Sequence, residues 1–113
     1  MAMFKEITIT GLDTDRPPRI RKLDHVDLVY KLSEEAPEEW CEEFRHFGRA
    51  LNPQAKVDKV TRCYIKTYVT DMDAIPAHLE VLERAVFDCN TQYMETLRQR
   101  ALNLLRQEQR QGE

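Results

Sequence analysis

Three histidines and three cysteines are the residues in this chain best suited to proton transfer, nucleophilic attack or metal ligation. His25, His46 and His78 each fall in a different predicted element, and Cys41, Cys63 and Cys89 are widely separated, each inside an apolar pattern. There is no C-x-x-C, H-E-x-x-H or G-x-S-x-G spacing. Cys41 and His46 lie five residues apart on one predicted helix, about 140° around its axis, so they do not face a common ligand. A nucleophilic pair at Cys41 would need a histidine from another element. His25 and Asp27 share one strand face, as a base and its orienting carboxylate would, and as a solvated polar alternation also would. Gly11, Gly48 and Gly112 are isolated, which excludes a glycine-rich phosphate loop. The expectation is a protein that is not an enzyme and carries no cofactor or metal, with its thiols buried as small hydrophobes.

Binding chemistry is better represented. Arg62, Tyr64, Lys66 and Tyr68 alternate along one face of a predicted strand, a pattern that can stack bases while cations hold phosphates. The glycines and element order of RNA-recognition folds are missing, and a wet sheet face commonly carries Tyr, Lys and Arg for solubility. Arg16-Pro17-Pro18-Arg19-Ile20-Arg21-Lys22 is the main basic cluster, suited to an acidic or aromatic groove and equally to a solvated hairpin loop. Glutamates between Glu34 and Glu43 read as helix capping and solubility.

Those residues need elements to position them. Ile7 and Ile9 alternate with Thr8 and Thr10, predicting a strand from about Phe4 to Leu12. Pro17 and Pro18 break the pattern, and Val26, Leu28, Tyr30 and Leu32 resume it, so the first two strands are expected to form a long-looped antiparallel hairpin. Ser33 is a candidate N-cap for a helix whose buried stripe is Trp40, Phe44, Phe47 and Leu51, stopped by Asn52-Pro53 rather than by Gly48. A third strand is expected from Lys59 to Thr70. Asp71 or Asp73 caps the last helix, with Pro76 tolerated in its first turn.

The resulting order is β-β-α-β-α. A crossover helix between the second and third strands predicts that those two run parallel, giving an α+β two-layer fold with a three-stranded mixed sheet and both helices on one face. The expected organisation is a single domain over residues 1–113, with 91–113 projecting as an oligomerisation or partner-binding helix.

That last helix carries the most informative pattern. With no Gly or Pro after Pro76 until Gly112, it can run from Ala74 to Gln109, roughly 54 Å at about 1.5 Å per residue. A compact domain of this length has a radius of gyration of only about 13 Å. The helix must therefore break, with Asn90-Thr91 the weakest point, or its second half must find a partner. Ile75, Leu79, Leu82, Val86, Cys89, Tyr93, Leu97 and Leu104 form one stripe, and apolar residues recur every eleven positions: Ile75, Val86 and Leu97; Leu82, Tyr93 and Leu104; Met94 and Leu105. Past Asp88 the apolar arc widens. The predicted contact residues are Phe87, Met94, Leu97, Ala101, Leu104 and Leu105, with Tyr64 and Tyr68 a second candidate surface. Arg98, Arg100, Arg106 and Arg110 at the end of this helix and the glutamates at the start of the first are opposite patches that could meet across subunits.

Composition bounds these readings. The chain has 113 residues, 42% hydrophobic and 33% charged, with 17 basic and 20 acidic residues and a net charge of -3, enough for one modest core. The acidic balance argues against nucleic acid as the partner. The odd cysteine number suits a reducing compartment, and no apolar run approaches a membrane span or the core of a signal peptide, so the expected location is cytoplasmic, away from the membrane. The function expected is that of a small non-catalytic regulatory protein acting by protein-protein interaction. It would form a homodimer through its C-terminal helix and occlude a surface of a larger partner, in the manner of an anti-activator, antitoxin or immunity protein. The alternative is a nucleic-acid-binding module using the Arg62, Tyr64, Lys66 and Tyr68 face with the Arg16 to Lys22 loop.

Overall fold

A computed structural model describes residues 4–22, 24–57 and 63–111, with side chains described as far as Glu108. Among the described residues five strands, two α-helices and one 3-10 turn follow one another: β1 (Ile9–Leu12), β2 (Arg19–Lys22), β3 (His25–Leu32), α1 (Glu38–Ala50), β4 (Lys56–Val57), β5 (Tyr64–Val69), the turn Met72–Ala74 and α2 (Ile75–Gln111). The fold is α+β, with an antiparallel sheet of five strands rather than a mixed sheet of three.

β3 is the organising strand. Its period-two alternation buries Val26, Leu28, Tyr30 and Leu32 on the inner face, as the sequence pattern requires. β1 pairs antiparallel with its C-terminal half, Ile9 opposite Leu32, which confirms the expected hairpin. The register shifts between Ile9 and Gly11, where Gly11 has φ +141, a backbone conformation other residues rarely adopt. The hairpin loop holds a strand the pattern did not reveal: β2, the segment Arg19–Lys22, pairs with the N-terminal half of β3. All four β2 residues are exposed, so no buried face marks it in the sequence.

β5 lies on the other side of β3 and runs antiparallel to it, Val26 opposite Val69 and Lys31 opposite Tyr64. The expected parallel pair is thus overturned. The helix crossover does deliver a strand parallel to β3, but that strand is the two-residue β4 at the sheet edge. β5 pairs antiparallel with β4 and lies between β4 and β3. Two residues, Lys56 and Val57, are too few to show a period. The start of the third predicted strand, from Lys59 to Arg62, lies outside the described residues.

α1 begins at Glu38 instead of near Ser33. Pro37 occupies the N-cap, its carbonyl accepting the Cys41 amide at 3.0 Å, and a proline disfavours helical backbone in the residue before it. Ser33 instead extends the pairing of β3, its amide donating to the Thr8 carbonyl and its hydroxyl accepting the Thr8 amide. The stripe on α1 is as predicted: Trp40 and Phe44 are fully buried, with parallel rings 5.3 Å apart, and Phe47 and Leu51 pack against the core. Gly48 is where α1 meets β4. A Cβ there would stand 1.9 Å from the Ala55 carbonyl oxygen, so this close approach admits only glycine.

Asp71 caps the 3-10 turn by accepting the Ala74 amide, and Pro76 sits in the first turn of α2. α2 then runs unbroken for 37 residues. Leu82, Ala85, Val86, Cys89 and Tyr93 enter the core, with Ile75, Leu79 and Leu97 packed at its margin. The arrangement of two helices laid side by side on the sheet is corrected in one respect: only the first part of α2 covers the core, and the helices are tied chiefly to each other. The Trp40 indole donates to Asn90 Oδ1 at 2.9 Å, the Cys89 thiol to the Trp40 carbonyl at 3.6 Å, and Arg100 pairs with Glu39. With α2 this long, the radius of gyration is 17.3 Å and the longest dimension 67 Å, against about 13 Å for the radius of a compact chain of this size.

Candidate functional site

The six residues predicted for helix contact lie on one continuous helix. Phe87, Met94, Ala101 and Leu105 follow at spacings of seven, seven and four, placing them within about 40° of one another around the axis. Their exposure is the telling quantity: Phe87 is 60% exposed, Met94 45% and Leu105 56%. Leu97 and Leu104 lie some 60–80° away around the axis, toward the core side. Leu97 touches the core, while Leu104, expected in the buried stripe, is 62% exposed because the sheet ends before reaching it. The basic end of α2 and the acidic start of α1 meet within the chain, through the Arg100 to Glu39 ion pair and the Thr96 hydroxyl on Glu43.

Tyr64 and Tyr68 are not brought to that helix. They alternate with Ile65, Thr67 and Val69, which point inward, so both tyrosines sit on the outer face of the sheet. The Arg16 guanidinium lies 4.7 Å from the centre of the Tyr64 ring, and the Tyr68 ring stacks on His25 at 4.4 Å with the planes 10° apart. Their strand neighbour Arg62 lies outside the described residues.

Around Tyr68 the structure assembles a basic cleft of about 1580 Å³. Arg16, Arg19 and Arg21 come from β2 and the loop before it, Lys56 and Lys66 from paired positions on β4 and β5, and Arg45 and Arg49 from α1. Asp27 is the sole carboxylate among its lining residues, and Arg21 pairs with it. Among the described residues Arg19, Arg45, Arg49 and Lys56 make no ion pair. The sequence offered the Arg16 to Lys22 loop together with the strand face, without α1 or β4. Arg45 and Arg49, one helical turn apart on a common face, were the missed signal.

The groups with catalytic potential are dispersed. His25 Nε2 and Asp27 Oδ1 do form a pair, 2.8 Å apart, but the carboxylate is shared with Arg21 and the imidazole is covered by Tyr68. Cys41 and Cys89 are buried in the core, on the opposite side of the sheet. Burial, reinforced by the Glu43 carboxylate and then Cys41, pushes the Cys89 thiol up to about 12, which suppresses the thiolate a nucleophile requires. His78 is buried beside Thr67, whose hydroxyl donates to the Gln54 carbonyl at 2.9 Å and so accepts from His78 Nε2 at 2.9 Å. Burial holds this imidazole below its ordinary range.

No protein-family model, curated protein or solved structure matches this chain. The functional reading therefore stands on the residues themselves. Among the described residues no group of three His, Cys, Asp or Glu is placed to hold a metal ion, and no helix is long and apolar enough to cross a membrane.

Proposed function

We propose that this is a non-catalytic interaction protein that pairs with a second copy of itself through α2, and that the dimer regulates by covering a surface of a larger partner, as anti-activators, antitoxins and immunity proteins do. One observation carries the reading: a continuous helix extends past its own core and exposes Phe87, Met94, Leu104 and Leu105 along its length. Monomeric proteins rarely leave such an apolar strip in water, because burying it yields about 25 cal/mol for each Å².

A second copy fits this strip by charge. The first half of α2 carries Glu80, Glu83 and Asp88 against Arg84, and the second half carries Arg98, Arg100, Arg106 and Arg110 against Glu95 and Glu108. An antiparallel pairing sets each acidic half against a basic end while Met94 and Ala101 lie near the centre, whereas a parallel pairing opposes like charges. Such a two-fold contact is closed, so it ends at two copies. The dispersal of His25, Cys41, His46, Cys63, His78 and Cys89 over separate elements and depths supports a non-catalytic role.

Sedimentation equilibrium at high micromolar concentration tests the pairing. The unaltered protein should sediment as a dimer, and Leu104→Glu with Leu105→Glu, both at exposed positions, should give a folded monomer. A monomer for the unaltered chain removes the proposal.

A further inference from the structure

We infer that the basic cleft, which runs from the outer face of the sheet round to Arg45 and Arg49 of α1, binds single-stranded nucleic acid, with phosphates along its cations and bases against the Tyr68 ring. This goes beyond the pairing through α2 and does not depend on it, since the cleft and the helix strip are different surfaces.

The argument begins with charge segregation. A net charge of -3 disfavours a polyanion on average, but binding responds to the local field. Glu38 and Glu39 open α1, and Glu80 and Glu83 lie on α2, while the cleft collects seven cations, of which Arg21 pairs with Asp27 and Arg16 with Asp13. Arg19, Arg45, Arg49 and Lys56 make no ion pair among the described residues, so their charges face the cleft uncompensated.

Cations alone would suit an acidic protein segment equally well. The aromatic groups decide between them. The His25 and Tyr68 rings stack nearly in parallel, and Tyr68, 36% exposed, joins the cleft lining. A flat π face among cations is the combination that receives an unpaired base next to its phosphate, and a carboxylate peptide has no use for it. The duplex form offers no free base faces, so the single strand is the expected ligand.

Fluorescence anisotropy with a labelled mixed-sequence DNA or RNA oligonucleotide of about 16 nucleotides tests the inference, since that length lies within the range of a single-strand site. With about four phosphates neutralised, the affinity should fall about 50-fold between about 50 and about 200 mM salt, a slope near -0.7 per phosphate. Arg19→Gln with Arg49→Gln should weaken binding and lower that slope by about 1.4, because two phosphate contacts are lost. Tyr68→Ala should weaken binding about fivefold or more at unchanged slope, in line with about 1–3 kcal/mol for a stacked base. The monomeric Leu104→Glu, Leu105→Glu variant should still bind, which separates this result from the fate of the dimer. Two outcomes overturn the inference: no salt-dependent binding at low salt, or a polyglutamate peptide that competes as strongly as the oligonucleotide while Tyr68→Ala changes nothing.

Discussion

The indole N–H of Trp40 donates to the side-chain oxygen of Asn90 at 2.9 Å, joining the middle of α2 to the first turns of α1 inside the core. The same amide holds the N-terminal segment: its oxygen accepts the Ile7 amide at 3.4 Å and its nitrogen donates to the Ile7 carbonyl at 2.8 Å. A residue that reads as a weak point in a long helix is thus the bolt through three parts of the fold. Every hydrogen-bonding atom of a buried amide is used, so the polar side chain is compatible with burial.

Asn90→Leu should therefore destabilise the protein by about 3 kcal/mol or more, since it strands the Trp40 N–H and both Ile7 backbone groups away from water. Trp40→Leu in the same background should cost less than it does alone, because the orphaned indole is then gone. Urea unfolding of the two single variants and the double variant measures the coupling. Additive effects would show that the bond contributes nothing.

Gly48→Ala sets two effects in opposition. In a free helix alanine is favoured over glycine by about 1 kcal/mol. Here the new methyl group would lie 1.9 Å from the Ala55 carbonyl, forcing α1 and β4 apart. Backbone cannot yield as a flexible side chain does, so the expected net result is a loss of about 1–3 kcal/mol, read as a lower unfolding midpoint. A midpoint that rises would mean that β4 moves freely.

Burial lowers the pKa of His78 in the folded state, while the unfolded imidazole keeps its ordinary value of 6.5. Above that value the residue is neutral in both states and adds no pH dependence. As pH falls below 6.5 the unfolded chain takes up a proton that the folded chain refuses, so stability drops until the lower folded pKa is passed, and then levels off. Unfolding midpoints measured from about pH 7.5 to about pH 5 should show this decline, and His78→Gln, which keeps a donor for Thr67 but cannot titrate, should flatten it. Identical profiles for the two proteins would exclude His78 as the source.

If α2 pairs two copies, the thermal midpoint of the unaltered protein must rise with concentration, because the folded dimer is favoured by mass action. The Leu104→Glu, Leu105→Glu variant should lose that dependence. Its midpoint should match that of the unaltered protein at high dilution, since both leucines are exposed within one copy. Differential scanning calorimetry over a hundredfold concentration range makes the comparison.

Much of this architecture is written in local pattern. The period-two burial of Val26, Leu28, Tyr30 and Leu32, the Trp40, Phe44, Phe47 and Leu51 stripe and the length of α2 depend on side-chain spacing within one segment, which sequence displays directly. The exposed strip of Phe87, Met94 and Leu105 was legible for the same reason. β2 and β4 were not, since an all-exposed strand of four residues and a strand of two carry no period to detect. The direction of β5 also escaped, because pairing is decided by which strand a crossover delivers, and β4 took that place. The basic cleft was legible in part: the Arg16 to Lys22 cluster and the Lys66 and Tyr68 strand face stand out along the chain, but Arg45, Arg49 and Lys56 are ordinary surface charges there, and only the packing of α1 and β4 beside the sheet brings them into a common field, because that field depends on distances between elements.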